Sequence, residues 1–467
     1  MRTGLTSILL ILVCFLSNSS LSSKNLKTGN GYAYTDFRDA LSASENGDTI
    51  YVYPGSYKGN FLIDKSVTII GKDSPVFDGE NNGTVITIEA PGVAILDVII
   101  KNSGKLLDRE DAGILVKTDN VNIQRNKLIS VLFGIYFRQA DNGRIKDNLI
   151  EGKKNLDVPR RGDLFRAWYC KGLLIENNTL SYGRDFIIWF SHGITIKKNK
   201  IKGARYGLHF MYSADSRILQ NSVTYSSVGM YLMYSKNLTI EKNLIAYNRG
   251  ASGFGIGLKD LDNTELRENV IADNRVGIFI DNSPRNYDTY MKYTGNVIAY
   301  NETGVNVLSS LHNSKFKKNS FIENYQQAVL TRGQEAKNDY WEQNFWSNYS
   351  GYDEDKDGSG DIPYGQDQVF ENLIEEKPNL KILLYSPAVS TLSYAADAFP
   401  VLKPEPVLID KAPSIHSILP SGIIQIKNGG SIKFLSFALV LLLMSAGSLV
   451  LFRFKNSIVN KRNGSHR

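Results

Sequence analysis

Val121-Asn122-Ile123-Gln124-Arg125-Asn126-Lys127-Leu128-Ile129 decides the fold, because its shape returns eight more times along the chain. It recurs as RIKDNLI ending at Ile150, LIENNTL at Leu180 and TIKKNKI at Ile201, then as ILQNSV, TIEKNLI, ELRENVI, KYTGNVI and KFKKNSF. The repeated asparagines are Asn126, Asn148, Asn178, Asn199, Asn221, Asn243, Asn269, Asn296 and Asn319, spaced by 22, 30, 21, 22, 22, 26, 27 and 23 residues. A base period near 22 with insertions of four to eight residues is a repeat architecture by spacing alone. Each unit also carries a second alternating segment, such as Gly113-Ile114-Leu115-Val116, Gly134-Ile135-Tyr136-Phe137 or Gly229-Met230-Tyr231-Leu232. Period-two apolar alternation means short strands, and Asn/Asp/Gly-rich joints mean turns.

Short strands at this period are satisfied by coils that stack on one another. The pattern predicts an all-β, right-handed parallel β-helix over residues 23–350, with each repeated asparagine inside a corner, bonding the rungs above and below. Roughly 300 residues at ~22 per turn give ~14 turns and, at ~4.8 Å per turn, a rod of about 65 Å. Ile50-Tyr51-Val52-Tyr53 and Val67-Thr68-Ile69-Ile70-Gly71 read as early coils, and Tyr34 to Ser44 as a short helix capping the open end.

Composition excludes several classes. Of 467 residues, 42% are hydrophobic and 22% charged, which rules out a disordered chain. The net charge of +7 is dispersed, with no dense basic cluster among aromatics, so nucleic acid is not an expected partner. Two cysteines, Cys14 and Cys170, exclude a disulfide framework, and five histidines without a His-Glu-x-x-His motif argue against a zinc hydrolase.

The ends suggest a compartment. Arg2, the apolar run Leu5 to Leu16 and the small polar residues from Ser17 to Ser23 read as a signal peptide over residues 1–22, which discards Cys14. Residues 351–413 form an acidic loop and C-terminal extension, and residues 414–433 a linker. Phe434 to Phe452 is an uncharged, mainly apolar run of 19 residues that reads as a C-terminal transmembrane helix. Arg453, Lys455, Lys461 and Arg462 follow it, so residues 453–467 are expected to be a basic cytoplasmic tail. The bulk of the chain is then extracytoplasmic and membrane-anchored.

The repeat lets columns be written down. Ten residues before successive ladder asparagines stand Trp168, Trp189, Met211, Met233 and Lys259; two earlier stand Arg166, Ile187, His209, Tyr231 and Gly257. Two later the column reads Cys170, Ser191, Ser213, Ser235 and Leu261. Leu208 and Phe210 are assigned inward, which sends His209 and Met211 outward beside Met233. An imidazole and two thioethers within about one strand spacing suit Cu(I) rather than a hard cation. A packed or partner-binding surface is the other reading, with Trp168, Trp189, Arg166 and Lys259 as its contact residues. Further on, Asp353, Asp355, Asp357 and Asp361, with Gly358 between them, match the first part of a Ca²⁺ loop; Tyr364 stands where its glutamate is expected.

The segments GDLFRAWYC (Gly162 to Cys170), GRDFIIWFSHG (Gly183 to Gly193), GARYGLHFMYSADS (Gly203 to Ser216) and VGMYLMYS (Val228 to Ser235) resemble the NosD family. GIGLKDLDNTELRENVI, YWEQNFWSNYSGYDEDKDGSGDIPY and LLYSPAV…AFPVLKPEP extend the resemblance from about Asp36 to Pro413. It implies a non-enzymatic periplasmic accessory protein that works with the permease and ATPase subunits of an ABC-type complex, a copper-chaperone lipoprotein and apo nitrous-oxide reductase. Its implied role is to support assembly of that enzyme's copper–sulfur centre by delivering copper or sulfur, with Cu(I) handled transiently if copper is the cargo. Cys170 departs from the family by standing where a serine is expected, and a C-terminal membrane helix is not needed by a protein that docks on a permease. The rival class is a polysaccharide lyase, hydrolase or epimerase, for which Asp163 and Asp185, 22 residues apart near Arg166 and Arg184, are the best carboxylates on offer. The insertion from Gly152 to Arg161 looks like a docking loop.

Overall fold

The computed structural model describes residues 23–308, 311–330, 340–366, 377–383 and 406–419, with Ser386 and Thr391. The expected leader (residues 1–22), the membrane helix (434–452), the basic tail (453–467) and the linker beyond residue 419 lie outside the described residues. Among the described residues, no helix is long and apolar enough to cross a membrane.

Successive coils contribute strands to three parallel sheets of 14, 13 and 12 strands. Register is strict: Ile123, Ile145, Ile175 and Ile196 pair rung to rung in the first sheet, and all four are buried. Alternation puts one residue of each pair inward, and stacking like on like lets identical apolar side chains fill the interior.

The bend between the first two sheets has one construction. The residue before each ladder asparagine lies in the left-handed region, with φ of 53° at Arg125, 57° at Asp147, 53° at Asn177, 57° at Lys198 and 55° at Gln220. That conformation costs a non-glycine residue roughly 1–2 kcal/mol, and the asparagine offsets it. Asn199 Oδ1 accepts from the backbone N–H and the side-chain amide of Asn178, both at 2.9 Å. Its own Nδ2 donates to Ile175 O at 2.9 Å and to Asn221 Oδ1 at 3.0 Å. A second, shorter ladder of the same kind runs through Asn248, Asn274, Asn301 and Asn324.

Both ends of the stack are closed. The expected capping helix forms over Phe37–Ala43, with the Asp36 side chain accepting from Arg38 N–H, and Phe37 packs on Phe61 and Phe77. At the other end the asparagine ladder finishes on a carboxylate. Asp410, in the short strand Leu408–Asp410, accepts from Gln343 N–H (3.1 Å), Asn344 N–H (2.9 Å), Asn344 Nδ2 (2.9 Å) and Trp346 Nε1 (3.3 Å). An asparagine there would need a further rung; an ionised aspartate only accepts, so it ends the series.

The insertion after Gly152 is docked on the chain itself. Leu156, with Leu107 and Leu115, covers Phe133 and Leu132 on the outside of the third sheet, and Arg161 Nε donates to Leu156 O at 2.7 Å. Beside it Lys153 is buried, with Nζ 3.3 Å from Asn81 Oδ1. Burial, reinforced by nearby Lys105, pushes this ammonium down to about 8.

Three consequences can be measured. Asn199→Ala leaves the buried Asn178 N–H without an acceptor and is expected to cost about 3–5 kcal/mol in urea unfolding. Asp410→Ala strips four donors at once, so hydrogen exchange should accelerate first in Trp341–Glu342 and Phe345–Trp346. Lys153 has a folded pKa below its unfolded value, so the cost of burying its charge is full below pH 8 and fades as pH rises towards 10.5. Lys153→Met is therefore expected to stabilise by about 2 kcal/mol at pH 7, allowing for the lost hydrogen bond, with no gain left above pH 10.5.

Candidate functional site

The outer face of the third sheet carries the columns written down from the repeat. Trp168 pairs with Trp189, Trp189 with Met211, Met211 with Met233, and Met233 with Lys259. Arg166, Ile187, His209, Tyr231 and Gly257 pair in the same order. Leu208 and Phe210 point inward and are fully buried, while Met211 and Met233 are half-buried on the outside. The third column is a hydroxyl ladder: Ser191 Oγ accepts from Cys170 N–H at 3.0 Å, and Ser235 Oγ from Ser213 N–H at 3.1 Å. Cys170 tops this ladder with Sγ 3.4 Å from Phe137 O and Trp168 O. Burial pushes its thiol up to about 11, which leaves it a small buried side chain with no thiolate to react.

His209 differs from the open patch expected of it. It is on the outward side of its strand, but its side chain is only 8% exposed. Tyr206 stands edge-on to the imidazole at 4.9 Å and Tyr231 lies beyond it at 6.5 Å. Its Nδ1 is 3.4 Å from Asp185 Oδ2, and neither ring nitrogen has a hydrogen-bond partner among the described residues. The buried Nε1 of Trp189, one rung away, is also without one.

One residue beyond the tryptophan–methionine column lies a feature the column arithmetic passed over. Tyr169, Phe190, Tyr212 and Tyr234 stack ring on ring, with centroids 4.8, 5.1 and 4.9 Å apart and planes within 10°. All four have φ near +50°, which turns them out of the sheet at its edge. The signal was available in the triplets Trp-Tyr-Cys, Trp-Phe-Ser, Met-Tyr-Ser and Met-Tyr-Ser, repeated at rung spacing. Because each ring covers its neighbour's face, the stack presents edges outward. A sugar that stacks on an open aromatic face finds none within the series.

Charges border this strip and are already paired. Arg166 is bound to Asp163 (2.6 Å) and Glu110 (2.7 Å), and Glu110 also holds Arg138. Arg184 Nε is 3.2 Å from Asp163, and Arg205 Nε is 2.9 Å from Asp185. Burial alone would raise the Asp185 carboxyl, but the contacts with His209 and Arg205 outweigh it and hold it below the usual carboxylate range. Asp163 and Asp185 are both about 1% exposed, so the two carboxylates that an enzyme would need are locked to guanidinium groups. Lys259 is similarly engaged by Asp281 and Asp260. Arg166 and Lys259 thus organise the border of the strip rather than stand free at it.

Two thioethers and an unpartnered imidazole are soft and borderline donors, and the carboxylates of this border are taken by cations. That set fits a soft monovalent ion. The acidic loop is a separate arrangement: oxygens of Asp353, Asp355 and Asp357 lie within 4.8 Å of one another. Asp361 is instead drawn to Glu354 N–H at 2.7 Å.

Comparison with known proteins follows this geometry. A family model described as "Periplasmic copper-binding protein (NosD)" matches residues 152–351, which include the whole strip. The "Probable ABC transporter binding protein NosD" of Pseudomonas aeruginosa is 29% identical over 384 residues, covering 78% of this chain and 88% of that protein. Its namesake from Stutzerimonas stutzeri is 24% identical over 406 residues, covering 83% and 91%. Among solved structures, the A-module of the Azotobacter vinelandii mannuronan C-5 epimerase AlgE6 superposes with a TM-score of 0.51 at 16% identity, over 64% of this chain and 93% of that one. At such identity the likeness is one of fold alone. Residues 152–351 thus match the NosD family model, and most of the chain is similar to two proteins of that name.

Proposed function

We propose that this chain is a non-enzymatic periplasmic accessory protein of an ABC-type complex that supports assembly of the copper–sulfur centre of nitrous-oxide reductase. Its partners are the permease and ATPase subunits, a copper-chaperone lipoprotein and the apo-enzyme, and copper is its cargo. The observation that carries this reading is the in-register thioether pair Met211–Met233, backed by the imidazole of His209 and framed by aromatic edges. Parallel pairing holds the two methionine strands at a fixed spacing of about 4.8 Å, so the donors are set by the sheet and need no mobile loop. Thioethers bind Cu(I) weakly enough to release it, which suits handover better than storage. Trp168 and Trp189 supply the contact surface beside the cargo. The relatives' description as ABC transporter binding proteins and the family's as copper-binding support the same assignment. The acidic loop takes a structural role, with Asp353, Asp355 and Asp357 holding a Ca²⁺ ion that relieves their mutual repulsion.

The test is an in-frame deletion in the native host, followed by metal analysis and spectroscopy of the purified nitrous-oxide reductase. The enzyme is expected to keep its electron-entry copper and to lack its catalytic copper–sulfur centre. A fully loaded, active enzyme overturns the proposal. Met211→Leu with Met233→Leu, a volume-conserving pair costing under about 1.5 kcal/mol of stability each, is expected to reproduce the deletion with the protein still folded.

A further inference from the structure

We infer that Asp185 is the positioning residue of the soft-cation centre, holding the His209 ring by its Nδ1 side so that Nε2 is the nitrogen offered to a ligand. This rests on the copper reading of His209, Met211 and Met233. Asp185 lies 3.4 Å from His209 Nδ1 and from no other imidazole nitrogen in the described residues. Its two oxygens are held by two nitrogens of Arg205, and a carboxylate so paired acts as an acceptor, so the proton it faces is on Nδ1. The lone pair is then on Nε2, which is buried and has no donor of its own to meet. A buried, unpartnered acceptor costs free energy that a ligand would return.

The arrangement is that of a carboxylate behind a metal-bound histidine, where the outer group sets tautomer and ring orientation. Two features point to it rather than to a plain ion pair. Arg205 alone pairs the Asp185 charge with two nitrogens, so His209 is not needed to neutralise it. Burial also removes the rotational freedom that an exposed histidine would have. Trp189, in register with Met211, stands close enough to report a heavy ion arriving there.

The first measurement needs no substitution. Long-range ¹H–¹⁵N spectra of the full chain with ¹⁵N-labelled histidine are expected to show His209, assigned by its loss in His209→Gln, as the Nδ1–H tautomer. Addition of Ag(I), a redox-silent stand-in for Cu(I), should shift its Nε2 resonance and quench the Trp189 emission that Trp189→Phe removes. Asp185→Asn is expected to mix the tautomers and weaken Ag(I) binding about tenfold, the lower end of the effect of an outer-shell partner. Asp185→Glu should restore most of it. An Nε2–H tautomer in the unsubstituted protein, or equal Ag(I) affinity in a folded Asp185→Asn protein, overturns the inference and leaves the copper reading standing. No Ag(I) binding in the unsubstituted protein overturns both.

Discussion

The solenoid depends on one interaction, the amide ladder that crosses its first corner. Each rung turns through a left-handed residue, which leaves backbone groups facing the interior with no strand partner. The asparagine amide is the side-chain group that can both accept from the rung before it and donate to the rung after it within the space of a corner. That two-sidedness makes the ladder cooperative, and it also makes ending the ladder a distinct problem. Asp410 solves it with a side chain that accepts and has nothing to pass on. The segment holding it returns 66 residues after Asn344, so the C-terminal extension is part of the fold's closure.

The strictness of that stacking explains what could be read from sequence. Once Asn126 and its successors fixed the rungs, counting back ten residues placed Trp168, Trp189, Met211 and Met233 in one column, as the strand pairing does. Counting gives which residues stack; it does not give how far a long side chain turns or what lies over it. His209 therefore reads as an open ligand in sequence and is covered by Tyr206 and Tyr231 in space. The nearness of Asp163 and Asp185 to Arg166 and Arg184 was legible, but not how tightly the guanidinium groups engage both carboxylates, because counting does not show how far a side chain reaches. The docking of Leu156 on Phe133 was lost because insertions break the period. The Tyr169–Tyr234 stack was visible as a repeated triplet, but a residue at a strand's end is assigned to neither face by alternation alone.

A mannuronan C-5 epimerase module shares this fold, and acid–base chemistry makes definite demands of its outer face. An acid–base pair needs one carboxyl group kept protonated and another poised to accept, which burial and like charges achieve by pushing pKa values apart. Here Asp163 and Asp185 are each answered by an arginine, and Asp185 is driven lower, away from the range of a general acid. The aromatic side chains that might line a sugar cleft turn their faces to one another. What remains unanswered on this face is nitrogen and sulfur: the His209 ring, the Trp189 N–H and two thioethers. Of these, the imidazole and the thioethers are borderline and soft metal donors, whereas the indole N–H can only donate a hydrogen bond.

A sheet is an unusual place for the proposed handover site, since mobile loops more often carry binding residues. The advantage lies in what must not change between loading and release. Met211 and Met233 sit on adjoining strands whose spacing is set by the backbone ladder on both sides, so a partner that approaches the strip meets the same donor geometry each time. The aromatic stack stiffens the same edge, because a ring can leave it only by giving up contact with both neighbours. On the proposed copper reading, weak individual donors would act through position: affinity would stay low enough for release, while the fixed spacing would select for an ion that accepts two thioethers and one imidazole. On that reading the stacked strands would discriminate by position rather than by tight binding.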